Sequence, residues 1–283
     1  MPVGAALVTG ASRGIGRAIA QRFAAEGAMV MVTGRQAGES DDDPGALRET
    51  VALIRRQGGS AMALQVDLDD PAQCTALVPR AVQAAGGFDI LVNNAGSAEY
   101  SSIESRPLEM FDRTIAHYLH VAFMLCNPVM RERGAGWILN LGSVTALAPI
   151  RPYHEFDRSG GVTAYAAAKA AINRFTEGLA AELQGDNIAV NSVALSTAIR
   201  TPGSERFIPD GYPVEPVEYL VETACALCST PARQRTGCLA YSLHFPFAAG
   251  LEVFGLDGAG KLPPLVVPAW AHPGLLRSTL HEG

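Results

Sequence analysis

Tyr165 and Lys169 stand four positions apart in the run Tyr165-Ala-Ala-Ala-Lys169. On a helix that spacing puts a phenol and an ammonium on one face. A free phenol, with a pKa of ~10, is a poor acid or base near neutrality. A neighbouring cation favours the phenolate and draws that pKa toward the working range, so the pair is a candidate for general acid–base chemistry. Alone, the pattern is common by chance.

A second run, Gly10-Ala-Ser12-Arg13-Gly14-Ile15-Gly16, suits a different task. It follows an apolar strand-like segment and opens a helix-like one. Glycines let the backbone turn tightly and approach a pyrophosphate, and the helix start offers free N–H groups and partial positive charge. The next strand-like run ends Thr33-Gly34-Arg35. An acidic side chain there would bond the 2′-hydroxyl of NAD and repel a 2′-phosphate. Here the repelling charge is missing and Arg35 supplies a guanidinium, with Arg13 in reach of the same anion. The expectation is therefore NADP(H), each charge-assisted contact contributing about 1.5–3 kcal/mol.

The elements that must position these groups are legible as alternation. Ala5–Thr9, Met29–Thr33, Ala61–Val66, Ile90–Val92, Trp137–Leu141 and Ala189–Val193 read as buried strands. Gly14–Ala25, Pro44–Arg56, Pro71–Ala84, Pro107–Glu132 and Ala164–Leu183 read as helices, with Asp43-Pro44 a favourable helix start. Strands joined by helical crossovers imply an α/β fold: a Rossmann-type, doubly wound parallel sheet in three layers and a single domain. Residues 1–245 are assigned to that domain and 246–283 to a C-terminal extension. The stretch Thr145–Gly161 is a polar, aromatic insertion between a strand and a helix, and loops of this length are more often binding elements or lids than inert surface.

Composition narrows the class. Apolar residues make up 48% and charged residues 18%, which supports a large buried core rather than disorder. A net charge of −6 speaks against a nucleic-acid partner. No apolar stretch reaches the ~18 residues of a membrane span, and Val3–Thr9 lacks the basic flank of a signal peptide, so a cytoplasmic protein is expected. The five cysteines are spaced like reduced thiols, and Cys225-x-x-Cys228 reads as a pair of core thiols in an apolar helix. His117 and His120 stand three apart with no further ligand in sight, so no metal site is expected. Gly255-x4-Gly260-Lys261 imitates a phosphate loop, but Leu262 and Pro263-Pro264 forbid the hydroxyl and the helix that should follow.

Taken in order, Thr9-Gly10…Gly14-Ile15-Gly16, Asn93-Asn94-Ala95-Gly96, Ser143 and Tyr165-x3-Lys169 resemble the short-chain dehydrogenase/reductase family over at least residues 5–242. The resemblance implies an oxidoreductase that interconverts a secondary alcohol and a ketone by hydride transfer. It assigns Tyr165 as acid in reduction and base in oxidation. Lys169 lowers the phenol's pKa and bonds the nicotinamide ribose, and Ser143 stabilises charge on the substrate oxygen. It adds Asp67 and Leu68 beside the adenine, Asn93, Ala95 and Gly96 along the cofactor, and Ile199 and Thr201 at the carboxamide. It also implies a variable substrate loop at about 202–215, suited by Phe207, Ile208 and Tyr212 to a hydrophobic substrate, and a homodimer or homotetramer. A cofactor-binding sensor or assembly subunit with little catalysis is the competing class.

Three departures from the family pattern stand out. Counting from Phe111-Asp112, the place of the family's helix asparagine falls on Tyr118. Ser143 and Tyr165 lie 22 positions apart, longer than is usual. Leu195-Ser196 replaces the usual Pro-Gly.

Overall fold

The computed structural model describes residues 4–38, 45–126, 129–153, 155–263, 268, 272, 274 and 275. Seven strands form one parallel sheet: β1 (Ala5–Val8), β2 (Met29–Gly34), β3 (Ser60–Gln65), β4 (Ile90–Asn93), β5 (Gly136–Leu141), β6 (Ile188–Ala194) and β7 (Leu239–Tyr241). Their order is β3-β2-β1-β4-β5-β6-β7, every neighbouring pair parallel. The chain winds outward in both directions from β1 and β4. The loops leaving their carboxyl ends therefore diverge and open a crevice, where ligands of such sheets bind.

Side chains alternate across the sheet because successive residues of a strand face opposite ways. Ala6, Val8, Val30, Val32, Ile90 and Val92 join a core with Ile19, Phe23, Ile54, Leu220 and Ala224. Leu7, Met31, Leu91, Ile138 and Val190 join the opposite core, with Leu77, Leu125 and Leu183. The first core is covered by α1 (Gly14–Ala25), α2 (Leu47–Arg56) and, later in the chain, the helix Val217–Leu227. The second is covered by α3 (Pro71–Ala85), α5 (Val121–Leu125), which α4 (Leu108–Ile115) precedes, and the long helix Thr163–Leu183. Between these lie the short helices α6 (Val129–Arg133) and α7 (Glu155–Ser159), so Thr163–Leu183 is α8, Val217–Leu227 is α9 and His244–Ala249 is α10.

The expected helix Pro107–Glu132 is instead interrupted. Ala116–His120 forms a π-helical turn between α4 and α5, and α5 ends at Leu125, with Cys126 at ψ 67°. Pro128, which lacks an N–H and disfavours helical geometry in the residue before it, explains why the helical run stops near there. The helix start read at Asp43-Pro44 lies outside the described residues; α2 begins at Leu47. Strand β7 and helix α10 were not anticipated. Within the insertion, Val144–Ala146 is a 3-10 turn and Glu155–Ser159 is helical.

The described part of the tail folds back on its own chain. Leu275 is fully buried against Ala194 and Tyr241, with Val144 and Leu147 packed beside them, and a nitrogen of His272 lies 3.1 Å from the carbonyl of Ala148. Phe254 and Lys261 form an antiparallel bridge, so the false phosphate loop is the tip of a small hairpin. Cys225 and Cys228 are buried thiols, as read.

Candidate active site

The glycine turn is built by steric necessity. Gly10 has φ 63°, and a Cβ there would lie 2.8 Å from the Cα of Ala95, so both the left-handed backbone and the approach of the β4 loop require glycine. Asn94, part of the Asn93-Asn94-Ala95-Gly96 motif but given no role of its own there, ties the two loops together. Its Nδ2 donates to the carbonyls of Thr9 (2.7 Å) and Gly10 (3.1 Å), and its backbone N–H donates to Thr9 Oγ1 (2.9 Å). Gly14 opens α1, and a Cβ on it would lie 3.3 Å from Thr201 Cβ, so the loop after β6 reaches across to the glycine turn. Ile15 packs on the first core, and Gly16 is buried in the first turn of α1.

The other candidates gather along the same sheet edge. Ser12 accepts Arg17 through its carbonyl (3.1 Å), and Arg13 is exposed beside it. Arg35 follows β2, is exposed and forms no ion pair among the described residues; its carbonyl accepts from Gln65 Nε2 (2.9 Å). Asp67 follows β3 and takes the N–H of Asp69 on its carboxylate (3.1 Å), while Leu68 is buried in the second core. Asn93 donates to Asn140 Oδ1 (2.9 Å), tying β4 to β5. Ile199 is buried, and Thr201 Oγ1 lies 3.0 Å from Ser204 Oγ.

Ser143, Tyr165 and Lys169 converge at the ends of β5 and α8. Ser143 is buried, its Oγ 2.8 Å from Thr145 Oγ1 and accepting the Thr145 N–H. Tyr165 sits between two other tyrosines, edge-on to Tyr100 (5.6 Å between ring centres) and to Tyr118 (5.5 Å). Tyr100 in turn meets Phe207 at 4.9 Å. An aromatic wall therefore runs from the phenol to the loop 202–215. Tyr100 was missed; its position in the loop leaving β4, beside the switch point, was the available signal.

Electrostatics at this centre differ from the simple expectation. Burial pushes the Tyr165 phenol up, with Tyr100 adding to the rise and the hydroxyls of Ser143 and Tyr118 opposing it as hydrogen-bonding neighbours. Burial draws Lys169 down to about 7. Its Nζ donates to the Leu141 carbonyl (2.6 Å) and lies 4.1 Å above the Tyr118 ring but 5.8 Å from that of Tyr165. In the protein alone desolvation outweighs the lysine's pull on the phenol, so the phenol is held protonated.

Leu195-Ser196 also acquires a structural role. The Ser196 N–H donates to Glu215 Oε1 (2.9 Å) and Ser242 Oγ (3.0 Å), and Ser196 Oγ lies 3.1 Å from His244 Nδ1 and accepts the Leu243 N–H (3.0 Å). Ser242 Oγ donates to Glu215 Oε2 (2.8 Å). This buried knot ties the exit of β6 to the end of the loop 202–215 and to α10. Burial lifts the Glu215 carboxyl to about 7 despite those donors. Its folded pKa exceeds the unfolded value of ~4.3, so the neutral form's stabilisation is complete below that value and is lost as pH rises through 7. Glu215→Gln, neutral throughout, is expected to abolish a loss of up to about 3 kcal/mol between about pH 5 and 8. Urea unfolding at both ends of that range checks it; equal pH dependence in parent and variant would contradict the assignment.

His117 does not pair with His120. Its Nδ1 lies 2.7 Å from Asp69 Oδ1. Among the described residues there is no group of three or more His, Cys, Asp or Glu side chains that could hold a metal, and no helix is long and apolar enough to cross a membrane.

Comparison with known proteins agrees with this architecture. The model of the short chain dehydrogenase family matches residues 4–208. The chain is 37% identical over 202 residues to an uncharacterized oxidoreductase, YxbG, of Bacillus subtilis, covering 70% of this chain and 67% of that protein. It is 34% identical over 248 residues to 3beta-hydroxysteroid dehydrogenase 1 of Eggerthella lenta, covering 82% and 88%. Its structure resembles that of L-sorbose reductase from Gluconobacter frateurii complexed with NADPH and L-sorbose, at TM-score 0.70 and 28% identity, covering 84% and 94%. With the family model spanning most of the sheet and the site lying where a doubly wound fold binds ligands, the chain belongs to the short-chain dehydrogenase/reductase family, oxidoreductases acting on hydroxyl or keto groups.

Proposed function

We propose that this protein is an NADP(H)-dependent reductase that interconverts a ketone and a secondary alcohol on a hydrophobic substrate. The observation that carries the proposal is the convergence of a protonated phenol, a serine hydroxyl and a lysine at the crevice mouth. Tyr165 gives its proton to the substrate oxygen in reduction, and Ser143 hydrogen-bonds that oxygen as negative charge develops on it. Lys169 holds positive charge behind the phenol and replenishes its proton. When bound, NADPH supplies the hydride.

The residues present fit that cofactor. A side chain at Gly10 would fill the turn where a pyrophosphate approaches. Beyond it Arg35, free of ion pairs among the described residues, faces the place of the 2′-phosphate, with Arg13 beside it. Asp67 and Leu68 border the adenine, while Asn93, Ala95, Gly96, Ile199 and Thr201 line the path to the nicotinamide. The printed ligand of the sorbose reductase, NADPH, supports the same choice.

The hydrophobic substrate follows from Tyr100 and Phe207 on the wall and exposed Tyr212 and Val214 at the rim. The hydroxysteroid dehydrogenase relative points the same way. Residues 1–245 serve as the catalytic domain and 246–283 as a C-terminal extension, and exposed Phe123 with half-exposed Phe111 offers apolar surface for self-association.

Absorbance of the reduced nicotinamide, followed with purified protein and a panel of ketones, tests the proposal. NADPH is expected to be oxidised and preferred over NADH. Arg35→Ser is expected to erode that preference by about 10- to 100-fold, the value of one charge-assisted contact. Tight NADPH binding without oxidation across a broad panel would favour a cofactor-holding protein instead, and an unchanged preference in the variant would remove Arg35 from the site.

A further inference from the structure

The loop that leaves β6 reaches both halves of the site. Thr201 lies against the glycine turn, where a Cβ on Gly14 would come 3.3 Å from the threonine Cβ. Phe207 meets Tyr100 on the aromatic wall at 4.9 Å between ring centres. Whatever fixes this loop therefore places groups on the cofactor side and the substrate side together.

The two ends of the loop are drawn into one neck. The Glu215 N–H donates to the Ala198 carbonyl (2.8 Å), and Thr197 Oγ1 donates to the Pro213 carbonyl (2.8 Å). The Glu215 carboxyl closes the neck from inside. Its Oε1 takes the N–H groups of Ser196 (2.9 Å) and Thr197 (3.4 Å), and its Oε2 meets Ser242 Oγ (2.8 Å). Glu215 is 5% exposed, and these hydrogen-bond partners are all uncharged.

A buried carboxyl with neutral partners is favoured in its own neutral form. Protonated on Oε2, it keeps the Ser242 contact by donating to it. Ionised, it is better served by water than by these donors, and its pKa stands at about 7. The titratable groups on the surrounding elements are His244 on α10, Tyr241 on β7, and Glu218 and Tyr219 on α9. The carboxyl's level is set by burial against its hydrogen-bond donors rather than by any of these. Burial also draws His244 down from its usual range, which keeps it uncharged at neutral pH.

We propose that Glu215 is a positioning residue that clasps the neck of the loop 199–212, and that its ionisation lets the neck open and weakens the hold on NADP(H). The clasp follows from the neck's geometry; its effect on the cofactor rests on the reductase reading. In the closed neck the carboxyl titrates near 7, and in an open, hydrated one near the ordinary ~4.3. Rising pH therefore favours opening by about tenfold per unit from about pH 5 to 7, and the gain levels off above 7.

Hydrogen–deuterium exchange of peptides spanning 196–215, in parent and Glu215→Gln between about pH 5.5 and 8, tests the clasp. The ratio of the two rates at each pH cancels the intrinsic pH dependence of exchange. Gln imitates the neutral carboxyl, with Oε1 accepting and Nε2 donating, so the variant stays closed. The parent-to-variant ratio is expected to rise about tenfold between pH 5.5 and 7 and then to level off. Read against the peptides of β1 in the parent itself, the same rise needs no variant. Thr197→Val loses the tie to Pro213 and keeps the carboxyl, so it is expected to exchange faster than the parent at every pH while retaining the rise. The ratio of NADP+ dissociation constants, parent over Glu215→Gln, is expected to grow about threefold over the same range, because affinity falls with the closed fraction. A flat exchange ratio overturns the clasp. A rising exchange ratio with an unmoved NADP+ ratio overturns the neck's hold on the cofactor. A rising exchange ratio in a protein that reduces no ketone leaves the clasp standing and overturns the reductase reading.

Discussion

Tyr165→Phe is expected to lower turnover by about 10³–10⁴-fold while leaving NADPH binding within a few-fold of the parent. The substitution removes one oxygen and little else. The phenyl ring keeps its edge contacts with Tyr100 and Tyr118, 5.6 and 5.5 Å between centres, so the aromatic wall and the start of α8 should stand. What is lost is the acid. Burial holds the phenol protonated at neutral pH, which suits donation to a developing alkoxide better than abstraction from an alcohol. Ser143 remains in the variant and still polarises the substrate oxygen, but its hydroxyl is part of a bond to Thr145 and has no proton supply behind it. Single-turnover kinetics with a ketone that the parent reduces, alongside NADPH fluorescence titration, separates chemistry from binding. Undiminished hydride transfer in Tyr165→Phe would remove the assignment of the acid.

Much of the architecture behind that prediction was legible before any coordinates, and the reasons are local. Continuous apolar runs such as Ala6-Leu7-Val8 and Val30-Met31-Val32 mark strands buried on both faces, and each residue joins the core its parity demands. Glycines at 10, 14 and 16 announce a turn because few other residues tolerate it. The failures were tertiary or terminal. Strand β7 is only three residues, Leu239–Tyr241, too short to show a period. The broken helix after Leu125 was signalled by Pro128, which an overriding apolar pattern obscured. The Glu215 knot joins Ser196, Ser242 and His244 across long stretches of chain, and no spacing rule brings them together. Nor does spacing reveal that Lys169 turns toward Leu141 and Tyr118, which depends on the π turn and on the gap at Gly96. Side-chain types pointed to a candidate chemistry; packing sets the protonation states.

Lys169→Met is expected to cost about 10²–10³-fold in turnover and at the same time to make the protein harder to unfold below neutral pH. The two effects have one cause. Lys169 is 4% exposed, and desolvation draws its pKa from 10.5 to about 7. Its folded pKa lies below its unfolded one. The stability it contributes is therefore present above the unfolded value and is lost as pH falls through the folded one. At about pH 6 the folded chain must carry a buried ammonium, a penalty of order several kcal/mol that the Met variant escapes. Against that stands the Leu141 carbonyl, left without its donor at a cost of about 1–3 kcal/mol. Net stabilisation of about 1–3 kcal/mol is expected near pH 6, shrinking as pH rises toward 10 and the lysine is neutral in both states. Thermal unfolding of both proteins across that range measures the difference directly. A Met variant that melts below the parent at pH 6 would show that the Leu141 carbonyl and the Tyr118 ring more than offset the burial of the charge. The lysine would then be a stabilising element rather than a strained one kept for catalysis.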